Sequence, residues 1–466
     1  MVSLTLCGNV VKTNHSKPKL LSETLSAKEE SNQESEWKGI RIEVDFKPEE
    51  GLAEDKVAFL KDIIKPMVKD KFKRMISVKE PKPIPPLSAD ACFSEIDIPE
   101  RYLRLSTDTD LILFIRTIDE DPNLLGFADI CVKSTDNKRP IAGFVVLNSN
   151  LIKADLENIN SFKSLLIHEI MHVIGFNRSS FNDFQSANPV LDITDYFFFA
   201  KYEFIGPKAL EKARKHFNCP TLKSIHLEDQ GGFASAASHL ESLHFGNEFM
   251  TADSSTKELI SEISLAILED SGWYKVNYSE AETLIHGKNQ GCAFVNQGCD
   301  TSFNEFCSSL GKLSCSKDYR AKLTCQDQGF SNRCFLNGYH ADKLCTNKRN
   351  FHETARYEES GPFSRCFNVT YLNENTAGCY MAECESDGIL IDLGYYTVKC
   401  DGFESYAVFE NLAISCPDYE DFCSQLDDGC EDDCNSNGIC LIDNTCECDL
   451  HYSGDTCEIN PSRQKP

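Results

Sequence analysis

Apolar residues along this 466-residue chain fall into short runs whose period changes from region to region. After Leu21, residues up to 36 carry few large apolar side chains and are rich in Ser, Glu, Lys and Asn. Residues 1–36 therefore read as a disordered lead-in or pro-segment remnant. Three strand-like runs follow, Ile40–Phe46, Leu111–Ile118 and Ile141–Leu147, with a helix around Leu52–Met67 between the first two. Leu165, Leu166, Ile167, Ile170, Val173 and Ile174 then predict a helix from about Ser161 to Gly175 that is apolar most of the way round and hence buried. Gly175, free to adopt a positive φ, is its helix-ending turn. Residues 176–285 read as largely irregular, apart from an aromatic strand-like run at Tyr196–Phe204 and a helix near Thr256–Asp270. For that helix Ser255-Thr256-Lys257-Glu258 reads as a capping box, and Leu259, Ile260, Ile263, Ala266 and Ile267 form its apolar stripe. Gly272 can close it. The expected class is α+β, with an upper mixed subdomain at 37–175, a central helix and a lower subdomain at 176–290.

Composition adds a second tier. Of 23 cysteines, Cys7, Cys92, Cys131 and Cys219 precede residue 290 and nineteen follow it. That density implies an oxidising compartment and a disulfide-rich domain over 291–422. A zinc-ribbon reading would need paired C-x2-C knuckles, which do not occur. The odd total leaves one thiol over, and Cys7 is the expected one. With 73 acidic against 47 basic side chains the net charge is −26, which argues against a nucleic-acid partner. Sequons at Asn14, Asn177, Asn277 and Asn368 are compatible with secretion. Met1–Val11 is short and lacks a basic start for a signal peptide. No run reaches the ~18 apolar residues of a membrane span, and the polar end at 459–466 has no GPI-anchor pattern.

The chemistry concentrates at His168-Glu169-Ile170-Met171-His172. In a helix, residues four apart share a face, so His168 and His172 can offer two imidazoles to one Zn2+. Glu169, one residue round, can reach a water at the open coordination position. A buried Glu and two buried His without partners would be costly, and a metal removes that cost. A third ligand is needed. The compact continuation H-E-x-x-H-x-x-G-x-x-H would put a histidine at position 178, where this chain has Arg178. Asp192, Asp195 and Glu203 are acidic candidates, and several histidines follow, His239 and His244 among them. The residues alone leave that choice open.

Ser238-His239-Leu240-Glu241 and Asn247-Glu248-Phe249-Met250 resemble the third-ligand and Met-turn region of the leishmanolysin family of zinc metalloproteases, in the metzincin clan. Ile263–Tyr274, Ile40–Phe46 and Arg139–Gly143 are similar to further stretches of that family. The likeness covers most of 37–290 and continues more weakly to about 415. It implies His239 as third ligand and Met250 as a packing residue beneath one catalytic Zn2+. Glu169 would be the catalytic base of a peptide-bond hydrolysis without a covalent acyl-enzyme. His244 is expected in solvent, though near enough to His239 to compete with it. The resemblance further implies protein or peptide substrates, bound extended beside an edge strand near Ala142–Leu147, and an extracellular or cell-surface setting linked to adhesion and membranes. A non-catalytic surface adhesion protein that keeps the fold is the alternative, against which the intact His168, Glu169, His172 and His239 argue. At the tail, Cys430, Cys434, Cys440, Cys446, Cys448 and Cys457, with Gly438, Tyr452 and Gly454, resemble an EGF-like module over 423–460. That resemblance implies pairs 430–440, 434–446 and 448–457 and a role in spacing or in binding a protein partner.

Overall fold

The computed structural model describes residues 37–459, save 80, 94, 120–124, 150–158, 186–187, 195–199, 233–234, 253–258, 297, 328–333, 351–353, 403–404, 427–433, 436, 441–445, 449–451, 453 and 455. The lead-in at 1–36, with Cys7 and Asn14, lies outside those residues. The chain forms two compact units. Among the described residues, the first comprises those within 37–252, 259–284 and 288–295, and the second those within 285–287 and 296–459.

The first unit opens with β1 (Trp37–Gly39), β2 (Ile42–Lys47) and α1 (Glu54–Met75). α1 is longer than the expected Leu52–Met67 and continues past Pro66. A proline within a helix costs about 3 kcal/mol. Leu60, Ile64, Val68 and Phe72 nevertheless recur every fourth residue and are all fully buried, so packing beyond Pro66 carries the helix on. Next come β3 (Ile76–Lys79), α2 (Glu100–Arg104), β4 (Leu111–Ile118), β5 (Gly126–Lys133) and β6 (Pro140–Asn148).

One sheet runs in the order β2-β4-β6-β5, parallel up to β6 and antiparallel between β6 and β5. Leu111 to Ile115 are all buried, as a strand covered on both faces requires. Ile112, Phe114, Ala142, Phe144 and Val146 pack in one cluster with the Cys92–Cys131 bridge. α3 (Ile159–Ile174), which carries the H-E-x-x-H residues, packs against β5 and β6. Gly143 of β6 permits its close approach: a Cβ there would overlap the Val173 side chain and lie 2.8 Å from the Asp129 carbonyl oxygen. This arrangement corrects the expected edge at Ala142–Leu147. β6 is bonded on both sides, and the edge strands of the sheet are β2 and β5.

The region after α3 is more regular than its sequence suggested. It holds α4 (Arg178–Phe181), β7 (Asn188–Thr194), β8 (Ala200–Ile205), α5 (Pro207–Phe217) and β9 (Ile225–Leu227). β7, β8 and β9 form an antiparallel sheet. α5 was legible but unread: Pro207 opens it, and Ala209, Leu210, Ala213 and Phe217 bury one face. After the short α6 (Ser242–Phe245), α7 (Glu262–Asp270) begins later than the expected Thr256. Leu259 is instead bridged to Glu248, and Ser261 is the cap, accepting from the amides of Ile263 and Ser264. The expected capping box at 255–258 falls outside the described residues. β10 (Tyr274–Val276) pairs with β3, and a Cys219–Cys292 bridge closes the unit.

The second unit is built on two antiparallel sheets. One has the order Phe306–Cys307, Phe335–Leu344, Ala321–Asp327, Leu313–Cys315. The other has six strands, with Ser364–Tyr371 and Glu374–Glu385 at its centre. Bridges 299–334, 307–325, 315–366, 345–379, 384–423 and 400–416 staple them. At the tail, Gly438–Cys440 pairs with Cys446–Cys448, and bridges 434–446 and 448–457 match the implied pairing. Cys430, needed for the third, lies outside the described residues.

Gly143→Ala is expected to destabilise the first unit by about 1–3 kcal/mol through overpacking against Val173. A denaturant midpoint equal to that of the parent chain would refute this close approach.

Candidate metal centre

The end of α3 sets the centre. Gly175 adopts φ +125°. Its amide donates to the His172 carbonyl at 3.2 Å, and the Phe176 amide donates to the Met171 carbonyl at 2.9 Å. These are the paired bonds of a Schellman turn. The turn brings the Phe176 carbonyl back to His172, whose Nδ1–H donates to it at 2.7 Å. Asn177 Nδ2 bonds the His172 carbonyl at 2.7 Å, and the Asn177 side-chain oxygen caps α4 by accepting from the Ser180 amide. This buried side chain is thus committed within the fold, which removes Asn177 from the candidate glycosylation sites.

His168 Nδ1–H donates to the Phe249 carbonyl at 2.8 Å, and His239 Nδ1–H to the Ser235 carbonyl at 3.0 Å. With each Nδ1 committed as a donor, each Nε2 is left as a bare lone pair. The three Nε2 atoms stand at 3.1 to 3.2 Å from one another. Three acceptors at that range repel unless a cation lies among them. Bond lengths of about 2.0–2.1 Å at tetrahedral angles put ligand nitrogens roughly 3.3 Å apart, so the donor set fits a four-coordinate divalent ion. All three rings are buried. Burial pushes His168 down to about 4. Burial, then repulsion between the rings, pushes His239 down to about 3 and His172 well below the usual range. The imidazoles are therefore neutral near neutral pH, the form that binds metal.

Long-range contacts deliver His239. Its carbonyl accepts from the Glu228 amide at 2.9 Å, next to β9, and the following Leu240 amide donates to the Met250 carbonyl at 2.8 Å. The Arg178 amide donates to Ser238 Oγ at 3.3 Å. The later loop therefore comes in beside the position where a compact motif would carry its third histidine. Met250 is fully buried and Glu169 nearly so. A Cβ on Gly126, at the start of β5, would lie 3.7 Å from Glu169 Cγ.

His244 is buried, contrary to its expected exposure, and packs edge-on against His226 and Phe294. It is not part of the three-histidine group. It lies within the short α6, capped by Glu241 and Gly246, and its ring meets His226 and Phe294 rather than the centre. Glu203 lies in β8 opposite His226, Asp192 in β7, and Asp195 outside the described residues. Two groupings escaped the sequence reading. Glu228, Asp229 and Glu241 bring carboxylate oxygens within 4.8 Å of one another, and burial raises Glu228 and Glu241. Glu248 is fully buried and accepts hydrogen bonds from Met250, Ser261 and Ser264. Glu241, between Leu240 and Leu243, and Glu248, before Phe249-Met250, stand next to apolar residues, which was the available signal; Glu228-Asp229-Gln230 offered none.

Residues 47–388 match the leishmanolysin family. The chain belongs to that family. Among its relatives, the leishmanolysin-like peptidase of Caenorhabditis elegans is 29% identical over 238 residues, covering 42% of this chain and 36% of the relative. The leishmanolysin-like peptidase of Drosophila melanogaster is 28% identical over 251 residues, 43% of this chain and 37% of the relative. Leishmanolysin of Leishmania donovani is 28% identical over 193 residues, 41% of this chain and 32% of the relative. The matched part thus spans 32 to 37% of these relatives' lengths.

After loading with zinc, His239→Ala is expected to lose most of the added metal on dialysis, whereas His244→Ala treated alike keeps it. Metal content per folded chain measures both, and the reverse order would exclude His239 from the centre.

Proposed function

We propose that this leishmanolysin-family chain is a zinc-dependent endopeptidase acting on protein or peptide substrates. In this reading His168, His172 and His239 are the zinc ligands, Glu169 is the catalytic base and Met250 the packing residue under the centre. The observation that carries it is the meeting of three bare Nε2 atoms within 3.2 Å, each imidazole held by a backbone carbonyl.

A zinc ion at that position supplies a Lewis acid and a water acidified towards neutrality. Glu169 follows His168 on α3 and sits by the first residue of β5. Its carboxylate takes the proton of the attacking water and returns it to the nitrogen of the departing amine. Near-complete burial keeps bulk water from competing for that proton. The substrate lies extended along β5, because of the two edge strands, β2 and β5, it is β5 that begins beside Glu169. The soft thioether of Met250 fills space without offering a competing charge.

The same reading takes 37–175 and 176–290 as the two metzincin subdomains around a central helix, with a disulfide-rich domain at 291–422. An EGF-like module at 423–460, supported by bridges 434–446 and 448–457, serves spacing or a protein partner. So many bridges belong in an extracellular or cell-surface environment. No described helix is long and apolar enough to cross a membrane.

Glu169→Gln should retain zinc and lose about 10²–10⁴-fold in kcat/KM on a casein-type substrate. Undiminished turnover would remove Glu169 from the mechanism, and wild-type proteolysis indifferent to a zinc chelator would sink the metalloprotease reading.

A further inference from the structure

We propose that Glu248 is a positioning residue for the metal centre, acting on His168 through the single peptide group that joins Phe249 to Met250. The two ends of that group are both engaged. Its carbonyl oxygen, on Phe249, accepts from His168 Nδ1 at 2.8 Å. Its N–H, on Met250, donates to Glu248 Oε2 at 2.6 Å. Amide resonance links the two ends: an anion at the N–H draws the group towards its dipolar form and places more negative charge on the oxygen. The carboxylate thereby strengthens the bond that fixes the His168 ring and makes its Nε2 a better donor to a cation, as outer-shell partners of metal-binding histidines do.

The equivalent chains behind the other two rings end differently. Behind His172, the peptide after Phe176 has its N–H on Asn177, which donates to the neutral Gly175 carbonyl at 2.8 Å. Behind His239, the peptide after Ser235 has its N–H on Ala236, which donates to the neutral Gly232 carbonyl at 2.9 Å. Of the three imidazoles, His168 is the one whose chain ends on a carboxylate.

Glu248 is held for this role. Its Oε1 accepts from the Ser261 amide at 3.1 Å and from the Ser261 and Ser264 hydroxyls at 2.6 Å each. Ser261 Oγ also accepts from two amides of α7, so its own proton is directed to Glu248. Burial raises the Glu248 carboxyl, and the four hydrogen bonds it accepts oppose that by favouring the ionised form. A buried, uncompensated anion is costly where packing alone is required, and a neutral side chain could join the turn to α7. The charge serves the peptide group it faces.

This inference rests on the zinc reading of the centre, and the test separates the two. Zinc affinity of the full chain is measured by chelator competition for wild type, Glu248→Gln and Ser264→Ala, with circular dichroism as the check of fold. Expected is a weakening of about 10–100-fold for E248Q, together with altered visible absorption of its cobalt(II) form. S264A, which loses an anchor but keeps the charge, should hold wild-type affinity while melting lower. A natively folded E248Q with wild-type affinity overturns the proposal, as does S264A weakening zinc as much as E248Q. A second measurement needs no variant. On zinc loading of the wild-type chain, the Met250 amide proton should move downfield more than those of Asn177 and Ala236, and an equal or smaller movement also overturns the proposal. A wild-type chain that takes up no zinc refutes the centre itself, and the relay falls with it.

Discussion

Three imidazole nitrogens with their lone pairs turned inward, 3.1 to 3.2 Å apart in a buried site, form the constraint around which the first unit is arranged. Such a grouping opposes itself electrostatically and is desolvated besides, so it persists only where the surrounding chain holds each ring. The holding is done by backbone. Phe176, Phe249 and Ser235 each present a carbonyl to an Nδ1–H, which selects the tautomer and sets the ring plane. The precision of the centre is therefore the precision of three turns in three distant parts of the chain.

Each of those turns is determined by packing elsewhere. α3 reaches its depth because Gly143 has no side chain where Val173 arrives. The Gly175 turn is closed down by Trp273, whose ring would meet any Cβ at 2.8 Å. The tyrosine after it, Tyr274, bonds the Ile174 carbonyl from β10, so the strand pairing of β10 with β3 also anchors the helix end. Leu240 is bridged on one side to Leu227 of β9 and on the other to Thr251, which places His239 between a sheet and the turn that bears Met250. That turn is in turn fastened to α7 by Glu248. A single charged side chain thus spans the two segments on which the His168 bond depends, and the three rings do not have equal support.

The second unit solves a different problem. Disulfides between residues 299 and 423 tie its sheets together, so covalent links take a share of the ordering that a larger apolar core would otherwise supply. Bridges 92–131 and 219–292 in the first unit do a smaller version of the same work, pinning β5 to the loop before α2 and closing the end of the unit onto the loop after α5.

How much of this could be read beforehand follows from the range of each interaction. The sequence by itself specified what is local. The four-residue spacing of His168 and His172, the apolar face of α3, the positive-φ glycine after it and the buried runs of β4 and β6 all follow from helix and strand periods. It overlooked α5, whose period was present, and misplaced the start of α7, because the Ser261 cap is favoured by a bridge between Glu248 and Leu259 that no local pattern reveals. Tertiary structure alone decided the rest. It chose His239 over His244, five residues apart, by turning one ring into the centre and the other onto Phe294. It made β5 rather than β6 an edge strand, since edges depend on which strands pair, and it set Glu248 behind the peptide that holds His168. These outcomes depend on contacts between segments separated by tens of residues, where the free energy lies in mutual packing and hydrogen bonding that a one-dimensional pattern does not encode.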